Sequence, residues 1–162
     1  AGAYTAPVTA TDGGSGVVLL ETYDAATDRT PTLAAASTRA FAGTGDDVLI
    51  PAFNISGTGA LRVLIRGIGP TLISFNVSGV LADPTITLYR GQTVLATNDN
   101  WSSGVNATEL ATAAASVGTF ALTNGSRDAA LIATLPAGAY TAVLGGVGGT
   151  TGTALVEIYA LP

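Results

Sequence analysis

The chain has 162 residues, nearly half of them hydrophobic and only 10% charged, with 21 glycines, 7 prolines and a net charge of −5. Six arginines are its only basic side chains, and Cys, His, Met and Lys are all missing. That length suffices for one buried core, whereas the acidic balance disfavours nucleic acid and anionic lipid as partners, and the missing side chains exclude a disulfide framework, a Ser-His-Asp triad, a Cys nucleophile, a Lys Schiff base and an ordinary zinc site.

Predicted strands follow one another at short spacing: Tyr4 to Val8, Val17 to Tyr23, Thr38 to Ala42, Asp47 to Ile55, Leu61 to Gly67, Thr85 to Tyr89, Thr93 to Thr97, Ala129 to Leu135, Tyr140 to Leu144 and Ala154 to Tyr159. Gly-, Pro-, Asn- and Asp-rich turns separate them, the pattern of an all-β, jelly-roll-like β-sandwich. One short helix is expected near 106–117: Asn106 with Glu109 three residues on forms a capping box ahead of an alanine-rich run, and Gly118 ends it. Residues 25–37 (AATDRTPTLAAAS) carry no periodicity and read as a linker between an N-terminal hairpin, 1–24, and a body, 38–162. If extended, thirteen such residues reach at most about 43–47 Å.

The chain repeats its own ending. AGAYTA at Ala1 to Ala6 recurs at Ala137 to Ala142, and Gly16, Leu19, Glu21 and Tyr23 align at the same offset with Gly152, Leu155, Glu157 and Tyr159. The chain thus holds about one repeat unit plus a second copy of that unit's closing hairpin, 137–160, and is expected to begin within a repeat, as a processed product would. A spare terminal element suits either a link in a tandem array or a segment lent to a neighbour.

Both copies are apolar on both strand faces. In the second, Ala154, Val156 and Ile158 alternate with Leu155 and Tyr159; in the first, Val18 and Leu20 alternate with Val17, Leu19 and Tyr23. Near-continuous apolar character implies cover on two sides, so a free hairpin of this kind needs a host sheet. Glu21 and Glu157 stand among these apolar neighbours, while Arg62 and Arg66, four apart on one side of a single strand, are the expected partners for such carboxylates.

From Ser37 onward, STRAFAGTGDDVLIPAFNISGTGALRVLIRGIGPTL, GVLADPTITLYRGQTVLATNDNW, DAALIATLPAGAYTAVL and TGTALVEIYALP together resemble a tandem repeat module of very large secreted proteins from Verrucomicrobia and related bacteria. LLETYDA at Leu19 to Ala25 is similar to the end of a preceding module. DPTITLY at Asp83 to Tyr89 and LPAGAYTAVL at Leu135 to Leu144 also resemble the bacterial pre-peptidase C-terminal domain, a β-sandwich attached to secreted enzymes. Neither resemblance implies catalysis by the module itself.

The remaining polar features read as structural. Asp46 and Asp47 point to opposite faces if extended and form a polar turn rather than an acid–base pair. GIGPTL at Gly67 to Leu72 lacks a phosphate-loop Lys and is a turn. Asn98, Asp99 and Asn100 are weak candidates for Ca²⁺ and better turn formers. Trp101, the single Trp, is expected to close the core at a loop rather than to stack on a sugar. Five of the six asparagines, Asn54, Asn76, Asn100, Asn106 and Asn124, lie in Asn-X-Ser/Thr sequons and are candidate glycosylation sites.

The expected function is structural: an extracellular, non-enzymatic filament subunit that needs no cofactor. It would assemble head-to-tail with copies of itself by exchanging strands or hairpins, with Tyr4, Val8, Val18, Leu19, Leu20, Glu21, Tyr23, Arg62, Arg66 and Glu157 at the joint. No apolar run reaches the ~20 residues of a membrane span, so no membrane insertion is expected. The alternative is a non-catalytic cell-surface module that binds carbohydrate or protein.

Overall fold

The computed structural model describes residues 2–23, 33–104 and 106–162. The chain divides into two units, the first ending at Ala34 and the second running from Ala35 to Pro162. The second unit contains β1 (Ala35–Ala42), β2 (Ala52–Ile68), β3 (Pro84–Arg90), β4 (Thr93–Asn98), α1 (Ala107–Ser116), β5 (Ala129–Gly146) and β6 (Gly152–Ala160). Its strands are antiparallel and hydrogen-bonded in the order β1-β6-β2-β5-β3-β4. The fold is all-β and sandwich-like with one short helix.

Two long strands make the sandwich. β2 and β5 pair along most of their length, but the register shifts between Ile55 and Ala60, opposite Pro136 to Gly138, so both strands bend together. Beyond the bend on one side, β2 continues beside β6 and β1; on the other, β5 continues beside β3 and β4. The two halves fold face to face. A Cβ on Gly67 of β2 would come within 2.5 Å of Leu144 Cδ1 and 2.8 Å of Ile86 Cγ1, so only glycine lets the layers approach there. Val63 and Ile65, Ile86 and Leu88, Leu131, Leu144, Ala154 and Val156 fill the space between the layers.

The opposite side of the first layer has its own cover. Leu64, Ala130, Trp101, Leu110, Ala113 and Leu161 form a second buried cluster, with α1 as its lid. The alternation along β2 explains both clusters: Val63 and Ile65 face the interior of the sandwich, and Arg62, Leu64 and Arg66 face the helix side.

Several local expectations are corrected. The two strands predicted over Ala129 to Leu144 are one bent strand, and those over Asp47 to Ile55 and Leu61 to Gly67 merge into β2, which starts only at Ala52. A tight turn over Gly45–Asp47, closed by the Gly43 N–H on the Asp47 carbonyl at 2.8 Å, takes the first of the expected strand residues, while Leu49 pairs with Leu144 as an isolated antiparallel bridge ahead of β2. β1 begins at Ala35, inside the expected linker, because Ala35, Ala36 and Ser37 pair with Tyr159, Ile158 and Glu157. Most of that linker lies outside the described residues. The helix occupies Ala107–Ser116, as its alanines favour, but Asn106 makes no side-chain cap. Its φ of −100° and ψ of 8° are far from the extended conformation a cap requires, and the Glu109 carboxylate is taken by Arg62.

The closing element at 137–160 is not a hairpin. Its first strand, the end of β5, pairs with β2 and β3, whereas β6 pairs with β1 and β2, so the two strands lie in opposite layers. The turn Val147–Gly149 arches between them rather than joining neighbours in a ladder.

Candidate assembly site

The two copies of the repeated element are in contrasting environments. In the C-terminal copy, Tyr140, Ala142, Leu144, Ala154 and Val156 are all buried, at 2% exposure or less. In the N-terminal copy, every described residue from 2 to 23 is exposed and none is in a strand. The expected strands Tyr4 to Val8 and Val17 to Tyr23 are therefore absent from the lone chain. Their backbone groups have no partner strand, and an isolated hairpin is marginal in water. What remains is a turn, with the Gly14 N–H donating to Asp12 Oδ1 at 2.9 Å. Val17, Leu19 and Tyr23 are 85%, 81% and 78% exposed. Tyr4, Val8, Val18 and Leu20 are also exposed.

Within the seated copy, the Glu–Arg expectation takes a definite form. Arg66 and Glu157 are cross-strand partners in the β2–β6 register, with Nε 3.2 Å from Oε2. Both are buried, so the contact is made out of water. Arg66 Nη1 also donates to Thr119 Oγ1 at 2.7 Å and to the Phe120 carbonyl at 2.8 Å, and its guanidinium lies 4.5 Å from the centre of the Phe120 ring. The Tyr159 hydroxyl donates to Glu157 Oε1 at 3.1 Å. Burial lowers the Arg66 pKa and raises those of Glu157 and Tyr159; the Arg66 charge beside Glu157 works against burial and favours the carboxylate.

The N-terminal copy keeps part of this geometry in the open. The Tyr23 hydroxyl donates to Glu21 Oε1 at 2.9 Å, two residues apart as in the Tyr159–Glu157 pair, and this bond raises the Tyr23 pKa. It also keeps a glycine whose steric reason is visible only in the other copy. A Cβ on Gly152 would lie 2.5 Å from the Leu81 nitrogen and 2.6 Å from the Val80 carbonyl carbon, whereas one on Gly16 would meet nothing within 4 Å.

Arg62 goes elsewhere. It pairs with Glu109 of α1 on the same face as Arg66, and its side chain is 41% exposed.

The other residues singled out in the sequence have structural placements. Asp46 and Asp47 are exposed in the turn before β2. Of the expected turn Gly67 to Leu72, Gly67 and Ile68 are instead the end of β2, and the chain turns from Gly69 into the tight helical turn Pro70–Phe75; a Cβ on Gly69 would clash with the Leu81 carbonyl oxygen. Asn98 Oδ1 accepts the Ala130 N–H at 2.9 Å, while Asp99 and Asn100 lie in the following bend. Among the described residues no group of three acids forms a metal cluster. Trp101 closes the core as expected, its indole N–H shared between the Thr123 carbonyl and Ser126 Oγ at 3.2 Å each. Of the sequon asparagines, Asn54, Asn76, Asn106 and Asn124 are exposed and Asn100 is half-buried.

Sequence reasoning missed Asp128, which is fully buried at the entrance to β5. Its Oδ1 accepts the N–H groups of Gly69 and Thr71 at 2.8 and 3.3 Å, and its Oδ2 accepts the hydroxyls of Thr71 and Ser126. The Trp101 N–H donates to its carbonyl at 2.8 Å. The Asp128 carboxylate thus fastens the loop after β2 to the segment just before β5, and its main-chain carbonyl fastens the loop after β4. Only its position just before an apolar strand run hinted at this.

No protein-family model, no characterised protein and no solved structure matches the chain.

Proposed function

We propose that this protein is a structural subunit of an extracellular filament, in which the N-terminal copy of the repeated element from one subunit is taken up by the next. The observation that carries the reading is the contrast between a buried and an exposed copy of one repeated, largely apolar element. Each large side chain that passes from water into a neighbour is worth about 1.5–3 kcal/mol, and each new backbone hydrogen bond about 0.5–1.5 kcal/mol net. Val17 to Leu20 and Tyr23 supply several of the former and a strand supplies several of the latter. The resemblance of the chain to modules that occur in tandem outside the cell accords with this reading, as does a side-chain set free of oxidation-prone sulfur.

Size-exclusion chromatography with negative-stain microscopy tests it. The full chain is expected to form long regular fibres, and a chain lacking Ala1 to Asp24 is expected to run as a single species of one chain's mass. Fibres that persist after this deletion, or a full chain that stays monomeric, would refute the reading.

A further inference from the structure

Among the described residues, the first half of β5 has β2 on one side and no strand on the other, and β4 has β3 on one side and no strand on the other. These two free edges face a common wedge. At its closed end they are stitched together, the Ala130 N–H to Asn98 Oδ1 at 2.9 Å and the Trp101 N–H to the Asp128 carbonyl at 2.8 Å. Past that point no ladder joins them, and a groove of about 430 Å³ opens, lined by Ala96, Ile132, Thr134, Arg62, Glu109 and Leu110 among others.

We propose that this wedge is the berth for residues 17–23 of a second copy of the chain, which enter as an additional strand beside β5; the inference rests on the assembly reading above and names its acceptor. Backbone direction gives the first argument. Because the Ala130 N–H points into the wedge, the main-chain groups of Ile132 and Thr134 point there too, two residues apart along the strand. They form an unpaired edge that a strand can extend.

The second argument is two-sided cover. A strand laid beside Ile132 has the core face of the sandwich, where Leu131 lies, on one side and the helix face, where Leu110 lies, on the other. It therefore needs apolar side chains on both of its faces. Val18 and Leu20 supply one face, and Val17, Leu19 and Tyr23 the other. The Tyr4 to Val8 run fits less well, because Pro7 removes a donor from the middle of the ladder.

Charge supplies the third argument. Arg62 is the register partner of Thr134, so its side chain rises on the helix face across Thr134 from the wedge. An acid on the helix face of the incoming strand comes within its reach, and Glu21 shares that face with Leu19 and Tyr23. Glu109 already engages Arg62 Nη2, but a guanidinium has five N–H donors and can hold a second carboxylate.

The full chain contains no cysteine, so introduced thiols report the contact directly. Two singly substituted full-length chains, Glu21→Cys and Thr134→Cys, both at exposed positions, are unfolded together, refolded and oxidised. A third chain, Ser37→Cys on the β1 edge, replaces the second as a comparison, and a chain carrying both Glu21→Cys and Thr134→Cys is oxidised alone. The expected result is a shift of the non-reduced band from one chain's mass to two, with peptide mapping locating a disulfide between positions 21 and 134 of different chains. Fibres whose disulfides join position 21 to position 37 and not to 134 would overturn the wedge as acceptor and leave the assembly reading intact. A 21–134 disulfide confined to single chains of the doubly substituted protein would overturn the second copy as occupant. Chains that remain monomeric by light scattering with no cross-link would overturn both.

Discussion

Arg66 and Glu157 face each other directly across β2 and β6, Nε 3.2 Å from Oε2, with each side chain almost wholly removed from water. Tyr159, Thr119 and Phe120 supply the surrounding polar and aromatic contacts. Desolvating both ions offsets much of their mutual attraction, so the pair contributes less to stability than its geometry suggests and far more to the cost of breaking it.

Replacing one partner is expected to differ sharply from replacing both. Arg66→Met should destabilise the fold by about 3–5 kcal/mol at neutral pH, since it leaves Glu157 buried without its counter-ion. The double variant Arg66→Met/Glu157→Leu should recover most of that loss, because two apolar side chains suit the neighbouring cluster of Leu64 and Leu110. Urea unfolding of the two single variants and the double variant measures the coupling.

The raised pKa of Glu157 gives its contribution a defined pH dependence. Its folded value lies above the ordinary carboxyl value of 4.5, so the folded state binds its proton more tightly than the unfolded chain does. The stability from this group is therefore fully present below about pH 4.5 and falls as pH rises through the raised folded value. Glu157→Gln removes the titration. The stability difference between the parent chain and this variant should shrink as pH is raised from 4 toward 7; a difference that grows over that range would contradict the raised pKa.

Asp128 is expected to be among the most sensitive positions in the chain. Asp128→Ala strands two N–H donors and two hydroxyls at a fully buried site and should cost about 3 kcal/mol or more. Hydrogen exchange should then rise first at Gly69 and Thr71, whose amides lose their acceptor.

The two repeat glycines should respond unequally. Gly152→Ala forces a Cβ against the Val80–Leu81 backbone and should cost about 1–3 kcal/mol. Below the concentration at which the chain assembles, Gly16→Ala should change the melting of the body by no more than about 0.5 kcal/mol, since nothing lies within 4 Å of it. Thermal unfolding of both variants checks the contrast.

The sequence by itself determined the all-β class, the one helix, the repeat and the need of Glu157 for an arginine on β2, while the β2–β6 register chose Arg66 and left Arg62 to Glu109. Each of these is written in local order: alternation and turn residues mark strands, an alanine run marks a helix, and charges placed among apolar neighbours mark a pair that must meet. Tertiary structure alone decided how strands were shared between layers. The text AGAYTA…LVEIY reads as a hairpin, yet its two strands part into opposite layers, because β2 and β5 bend together at Ile55–Ala60 and Pro136–Gly138 and offer each strand a different neighbour. The same holds for Asp128, whose four donors come from positions up to 59 residues away, and for the two copies of the repeated element, one seated in the body and one exposed. A strand's alternation specifies which faces need cover, but the strand or sheet that covers them comes from elsewhere in the chain, or from another chain, and is not written in the strand itself.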